Sequence, residues 1–188
     1  MALFDLQNMN MPYNSDAEQA VLGSILIDPN CMETVMMYLK PEHFYLEQHK
    51  AIYGVMVSLY TLGTPVDPLI VLERLTKEGV YDEAGGKTYL LQLAQIVPST
   101  ANIENYCKIV REKYYMRTLI TTAQEIIDSA ADGQGDANQL IDLAEQKIYD
   151  IRRGKDVGGP VSIKEVLVNE VYDHLHKITS TDKSAFMG

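Results

Sequence analysis

The sequence predicts an all-α protein, in which a compact helical globular domain is followed by a long antiparallel helical hairpin and a separate linker helix. Two observations lead to this class. Apolar residues recur at spacings of three and four, which is the helical period, and no segment shows sustained alternation of apolar and polar residues. Because 46% of the 188 residues are hydrophobic, the chain can bury a core of its own.

Breaks in the apolar pattern divide the chain into six segments. We expect a loose N-terminus at residues 1–13, a globular subdomain at 14–100, a hairpin at 101–153, a flexible linker at 154–161, a linker helix at 162–179 and a tail at 180–188. The glycines and proline of the linker, and the polar composition of the tail, separate the linker helix from the rest.

Helix-start and helix-stop residues predict five helices in the globular subdomain. Ser15 and Glu18 form a Ser-x-x-Glu capping box that opens the first, and Asp28-Pro29 ends it. Asp67 is predicted to cap the fourth helix, with Pro68 in its first turn. The other helices are expected around Met32 to Leu39, Phe44 to Leu62 and Tyr89 to Ile96, the last preceded by a turn through Gly85-Gly86.

The predicted hairpin joins a helix from Ala101 to Asp132 to a helix from Asp136 to Arg153, across Gly133-Gln134-Gly135. The first of these helices carries three apolar stripes. One is predicted to pack on the globular subdomain and consists of Ile103, Cys107, Val110 and Tyr114. The second is predicted to close the hairpin on Leu140, Ala144, Ile148 and Ile151, and consists of Met116, Ile120, Ala123, Ile127 and Ala130.

The third stripe has no obvious partner within the chain. It consists of Tyr115, Leu119 and Ile126, and lies about 80° from the second stripe at 100° per residue. An apolar stripe without a partner indicates an interface with a subunit or another protein. The alternative is that the globular subdomain folds over this stripe.

Charge and composition exclude several classes of function. The formal net charge is −10 and no segment is basic, so the chain is a poor candidate for binding nucleic acid, which depends on phosphate neutralisation. An acidic surface suits a basic protein partner, although solubility alone would also explain it. The N-terminus has no signal-peptide pattern, and no apolar run approaches the roughly 18 residues of a membrane span, so a cytoplasmic location is expected.

Motifs for catalysis are weak. Gly85-Gly86-Lys87-Thr88 looks like the end of a phosphate-binding loop, but Tyr81 stands where the loop needs a further glycine. Cys31 and Cys107 form neither a metal-ligand spacing nor a disulfide framework. The four histidines have no carboxylate or cysteine at the spacing that a metal site needs. We therefore expect no catalytic, cofactor or metal site. A nucleotide-hydrolysing enzyme is a further alternative function, and residues 85–88 are its only support.

Several motifs in order carry a family resemblance. They are Asp16 to Leu26, Pro41 to Tyr45, His49 to Tyr53, Gly63 to Asp67, Gly85-Gly86 with Tyr89-Leu90, Val97 to Asn102, and Arg117. Together they resemble the N-terminal domain of bacterial replicative DNA helicases of the DnaB type. The resemblance spans roughly residues 14–153, and the predicted linker helix falls where that family has one.

The resemblance implies a non-catalytic collar domain that acts in DNA replication. Such domains pair and assemble into a ring of up to six subunits, and bind the C-terminal domain of primase and, in some members, a loader. ATP and magnesium would belong to a motor domain that the sequence lacks, so the chain looks like a fragment without a cofactor of its own. The linker helix would dock on a neighbouring subunit's motor domain through Ile163, Leu167, Val171, Leu175 and Ile178.

The residues predicted to contact a second subunit or primase are Tyr115, Leu119, Ile120 and Ile126, with Tyr89 as a lesser candidate. Core packing would explain Ile120 equally well. The alternative function is a stand-alone helical adaptor or regulator that binds a different protein partner.

Overall fold

The computed structural model describes residues 10–97, 99–132 and 136–156, and every regular element in this part of the chain is helical. The α-helices are α1 (Ser15–Ile27), α2 (Cys31–Tyr38), α3 (Glu47–Thr61), α4 (Pro68–Lys77), α5 (Glu83–Ile96), α6 (Ile103–Ala131) and α7 (Ala137–Asp156). Short 3-10 turns cover Pro41–His43 and Thr100–Asn102. The predicted all-α class is confirmed. The predicted glycine turn of the hairpin, the linker helix and the tail lie outside the described residues.

Helix α1 is the centre of the globular subdomain. Its residues from Val21 to Leu26 are all buried, and α1 packs against α5, α6 and α3. Close packing against α5 depends on Gly23, because a Cβ atom there would lie 2.1 Å from the carbonyl oxygen of Leu93. A helix buried on nearly every side needs small residues where a neighbouring backbone approaches.

The first helix begins differently from the prediction. Asn14, not Ser15, is the N-cap, and its side-chain oxygen accepts a hydrogen bond from the amide of Ala17 at 2.8 Å. Glu18 forms no capping box, since it is 1% exposed and its carboxyl group accepts hydrogen bonds from the start of α3. The capping box was wrong because a buried partner distant in sequence binds the glutamate more favourably than the local amide does.

The start of α5 also differs from the prediction. Gly85 and Gly86 lie within the first turns of α5 rather than in a turn before it, and Asp82 caps the helix by accepting from the amide of Gly85 at 2.6 Å. At Gly86 a Cβ atom would meet the Leu72 side chain at 2.7 Å, so this glycine lets α5 pack closely on α4. By contrast, the predicted cap at Asp67 is confirmed, because its carboxylate accepts from the amide of Leu69 at 2.8 Å.

The hairpin is rooted in the globular subdomain by the first third of α6. Ile103, Cys107 and Val110 are buried, and this part of α6 packs on α1 and α2. At 29 residues, α6 is about 43 Å long, so its second half extends past the subdomain and pairs with α7. Helix α7 continues to Asp156, so residues 154–156 of the predicted linker are helical.

The stripe predicted to close the hairpin does so only in part. Ala130 lines a small cavity with Leu140 and Ala144 of α7, as predicted, but Met116 and Ile127 are 40% and 53% exposed. Tyr115 instead donates a hydrogen bond to the carbonyl oxygen of Gly154 at 2.6 Å, and Ile126 lines the same small cavity. Polar residues lie on this side as well, namely Thr118, Thr122, Ser129 and Lys147, so a prediction based on apolar residues alone misplaced the contact face.

We expect Gly23→Ala to lower the free energy of unfolding by about 2–4 kcal/mol, because the added methyl group meets the Leu93 backbone and forces α1 and α5 apart. The matched control is Gly54→Ala in α3, where a Cβ atom meets nothing within 4 Å. That substitution should raise stability by about 0.5–1 kcal/mol through helix propensity. Urea unfolding followed by circular dichroism measures both, and equal effects would contradict the close approach of α5.

Candidate interaction surfaces of the hairpin

An exposed apolar surface covers one side of the hairpin, and we call it the hairpin apolar face. It consists of Met116, Leu119, Ala123 and Ile127 on α6 with Ile141 and Ile148 on α7. The large members are between 40% and 56% exposed. Isolated exposed apolar residues are ordinary on protein surfaces, but six that share one side of a helical pair form a patch that indicates an interaction site.

Helical geometry shows why these residues share one side. At 100° per residue, Leu119 and Ile127 are turned about 40° and 120° from Tyr115, which faces α7. Ile141 and Ile148 are turned by about 80–100° from Leu140, which faces α6, in the same rotational sense. In an antiparallel pair, equal rotation on both helices leads to the same side of the pair. The apolar residues of α6 and α7 therefore form one surface.

The predicted interface residues are brought together only in part. Leu119 lies on the hairpin apolar face at 51% exposure, and Ile120 beside it is half-buried. Tyr115 and Ile126 face α7 instead, so the premise that they lack a partner within the chain was wrong. Tyr89 lies on α5 in the globular subdomain, whereas the other four predicted interface residues lie on α6.

Tyr89 belongs to a buried hydrogen-bonded network. Its hydroxyl lies 2.6 Å from Nε2 of His49, and Nδ1 of His49 lies 2.7 Å from the carboxyl group of Glu18. Burial raises the pKa of Tyr89. This chain of carboxyl, imidazole and hydroxyl groups resembles a catalytic relay, but His49 is fully buried and Glu18 is 1% exposed. No substrate reaches the imidazole, so the network ties α1, α3 and α5 together instead.

Arg117 fixes the direction in which the hairpin leaves the globular subdomain. Its guanidinium donates to the carbonyl oxygens of Pro12 at 2.9 Å and His43 at 2.7 Å. It also lies over the rings of Tyr45 and Tyr114, at 5.2 and 5.9 Å from their centroids. Desolvation lowers the pKa of Arg117, yet a guanidinium stays protonated in proteins. This role of Arg117 was not predicted from the sequence, although an arginine two positions after the pair Tyr114-Tyr115 was a usable signal.

His43 is the second polar group at the hairpin root. It accepts a hydrogen bond from the amide of Lys40 through Nδ1 at 3.2 Å and packs on the ring of Tyr114, with centroids 4.4 Å apart. Desolvation, the largest effect, lowers its pKa from 6.5 to about 4. The imidazole is therefore neutral at pH 7 and leaves Arg117 as the positive charge between the two carbonyl groups.

The residues that the structure describes contain no cluster of three or more side chains able to hold a metal ion. None of the helices in this part of the chain is both long and apolar enough to cross a membrane.

Comparison with known proteins gives the family. The family model described as the DnaB-like helicase N-terminal domain matches residues 10–112, which is more than half of the chain. The chain belongs to this family. The match includes Glu18, His49 and Tyr89 of the buried network. It ends at residue 112, within the first half of α6.

The family's curated members include replicative helicases. The chain is 37% identical over 175 residues to the replicative DNA helicase DnaC of Bacillus subtilis, covering 93% of this chain and 38% of the relative. It is 36% identical over 171 residues to the replicative DNA helicase DnaB of Geobacillus stearothermophilus, covering 91% of this chain and 37% of the relative. The chain thus spans about two fifths of the length of these relatives and corresponds to their N-terminal domain.

Solved structures share the fold. The N-terminal domain of DnaB helicase from Mycobacterium tuberculosis superposes with a TM-score of 0.69 at 32% identity, covering 75% of this chain and 99% of that one. A DnaB-like replicative helicase, whose structure was described together with its interactions with primase, superposes with a TM-score of 0.61 at 32% identity. It covers 87% of this chain, which matches 35% of that helicase. The predicted family and fold class are both confirmed.

We expect the stability of the domain to fall on acidification partly through His43. The pKa of this imidazole is near 4 in the folded state and near 6.5 when unfolded, so the unfolded chain takes up a proton that the folded chain does not. The stability that neutral His43 contributes to the folded state is fully present above pH 6.5 and is lost as the pH falls towards 4. Between pH 7 and pH 5 the loss should be about 1–2 kcal/mol.

The variant His43→Gln isolates this effect, because its amide oxygen can still accept from Lys40 but does not titrate. Its free energy of unfolding should fall less than that of the parent between pH 7 and pH 5, by about the same 1–2 kcal/mol. Urea unfolding at each pH measures the two slopes. Parallel curves for parent and variant would show that His43 is not buried in its neutral form.

Proposed function

We propose that the chain acts as the non-catalytic N-terminal collar domain of a replicative DNA helicase, where it mediates subunit assembly and binds primase during DNA replication. The observation that carries the proposal is the hairpin apolar face, which the described residues leave exposed. Family membership supports the helicase context. The rigid root at Arg117 supports a hairpin that presents this face in one orientation.

Self-association is the simplest way to cover the hairpin apolar face. Burying apolar surface contributes about 25 cal/mol per Å², so an extended patch on two helices gains substantially from pairing. A second copy offers the same patch, and two copies related by a two-fold axis can cover both patches at once. The proposed contact uses Leu119 and Ile127 at its centre, with Ile120 at the edge. Contacts through Tyr115, Ile126 and Tyr89 stay predictions.

Primase is the proposed heterologous partner, through its C-terminal domain. Support comes from a solved DnaB-like helicase, similar over 87% of this chain, that was studied for its interactions with primase. Because the chain has a net charge of −10, it suits a partner with a basic surface. A helicase loader is a further proposed partner, by family resemblance alone.

The parent protein in this proposal is an ATP-dependent DNA helicase of the cytoplasm. ATP and magnesium would bind its motor domain, and the collar would need no cofactor. The predicted docking of the linker helix on a neighbouring motor domain concerns Ile163, Leu167, Val171, Leu175 and Ile178, which lie outside the described residues. A stand-alone adaptor for another protein remains the alternative function.

Light scattering tests self-association. The parent chain should give a mass above that of the monomer at concentrations near 100 µM, a range typical of modest interfaces. Leu119→Glu combined with Ile127→Glu should return it to the monomer by placing two charges in the apolar contact. The matched control is Leu91→Glu with Ile96→Glu on α5, at similar exposures of 52% and 49%. The assignment fails if the α5 pair, rather than the hairpin pair, dissociates the assembly.

Titration calorimetry with the C-terminal domain of the primase from the same organism tests the partner. We expect saturable binding by the parent chain and unchanged binding by the α5 control pair. The absence of binding at millimolar concentrations would favour the adaptor function. Running both titrations at two salt concentrations also tests the charge argument, since attraction between an acidic and a basic surface weakens as salt rises.

A further inference from the structure

A second recessed surface lies at the root of the hairpin, and we call it the root groove. It has a volume of about 680 Å³ and lies between the end of α2 and the paired helices α6 and α7. Its apolar lining includes Met36, Met37, Tyr115 and Ile151. The two methionines are 38% and 54% exposed, although they follow each other on a helix that otherwise supplies core residues. The described residues therefore leave the root groove open, as an apolar surface separate from the hairpin apolar face.

The chemistry of the root groove suits an amphipathic helix. Methionine side chains are flexible and adapt to apolar partners of varied shape. The charged groups of the lining are Lys40, Lys147 and Arg153 with Glu42 and Asp150, and Lys147 is ion-paired with Glu125, so the lining is close to neutral. An occupant with an apolar stripe would match this surface.

The chain itself carries such a segment immediately downstream. Gly154 lines the root groove, and the described chain ends two residues later, at Asp156. Residues 163–178 have the apolar stripe Ile163, Leu167, Val171, Leu175 and Ile178, and their charged residues are Lys164, Glu165, Glu170, Asp173 and Lys177. Six residues separate Asp156, the last residue of α7, from Ile163 and can span about 23–25 Å, so the stripe can reach the groove that its own tether adjoins.

We propose that the root groove is an intramolecular docking site for residues 163–178, whose apolar stripe covers Met36 and Met37. A short tether holds the segment at an effective concentration in the millimolar range, so even a weak contact is populated. The same stripe is the face that would dock on a motor domain. Docking in the root groove and docking on a motor domain therefore exclude each other, and the groove holds the segment when no motor domain does.

Methionine methyl NMR on the full chain tests this docking. The ε-methyl signals of Met36 and Met37, assigned with Met36→Leu and Met37→Leu, should be protected from a soluble paramagnetic agent in the parent chain. Leu167→Asp with Leu175→Asp removes the apolar stripe and should abolish that protection. The matched control, Asn169→Asp with Tyr172→Asp, adds the same charge on the opposite side of the predicted helix and should keep it. None of the four substituted residues belongs to the core of helices α1 to α6.

Two outcomes would overturn the proposal. One is equal paramagnetic broadening of the Met36 and Met37 signals in the parent and in the stripe variant, which would mean that the segment does not cover them. The other is protection that disappears on dilution of the parent, since docking within one chain does not depend on concentration. That second result would assign the root groove to a second copy of the chain.

Discussion

The buried carboxyl group of Glu18 organises the globular subdomain. A carboxyl group with 1% exposure is tolerated only when its oxygens are hydrogen-bonded, and three groups form hydrogen bonds with it. Two are the amides of Tyr45 and Leu46, and the third is the imidazole of His49. Because the two amides lie at the start of α3, Glu18 pairs backbone donors that the helix itself leaves without a partner. The position and direction of α3 relative to α1 follow from this one side chain.

The same interactions continue outward to the hairpin. Tyr45, whose amide binds Glu18, presents its ring to the guanidinium of Arg117 on α6. Arg117 then joins the carbonyl oxygens of Pro12 and His43. A charged group that makes several directed contacts defines an orientation more narrowly than apolar packing does, because each hydrogen bond has a preferred geometry. The hairpin direction is thus linked to the first turn of α1 through Glu18, Tyr45 and Arg117.

The sequence predicted those features that depend on neighbouring residues. The cap at Asp67 followed by Pro68 was right because capping involves residues two or three apart, and Ile103, Cys107 and Val110 were right because one buried face repeats at helical spacing. The family resemblance also succeeded, because its motifs include residues of the buried network. Glu18 failed as a cap, since its partners stand 27 to 31 positions away and no local pattern reveals them.

The hairpin shows a different limit of sequence reasoning. Two stripes of α6 lie only about 80° apart, and both are apolar enough to pair with α7. The stripe that faces α7 contains Tyr115 and Ile126, and the polar Thr118 and Thr122 lie on the same side, at the root groove. The stripe with more hydrophobic residues leaves Met116 and Ile127 exposed. Two tasks are thus separated on one helix: a mixed polar and apolar face holds the hairpin closed, and a more apolar face remains available for a partner.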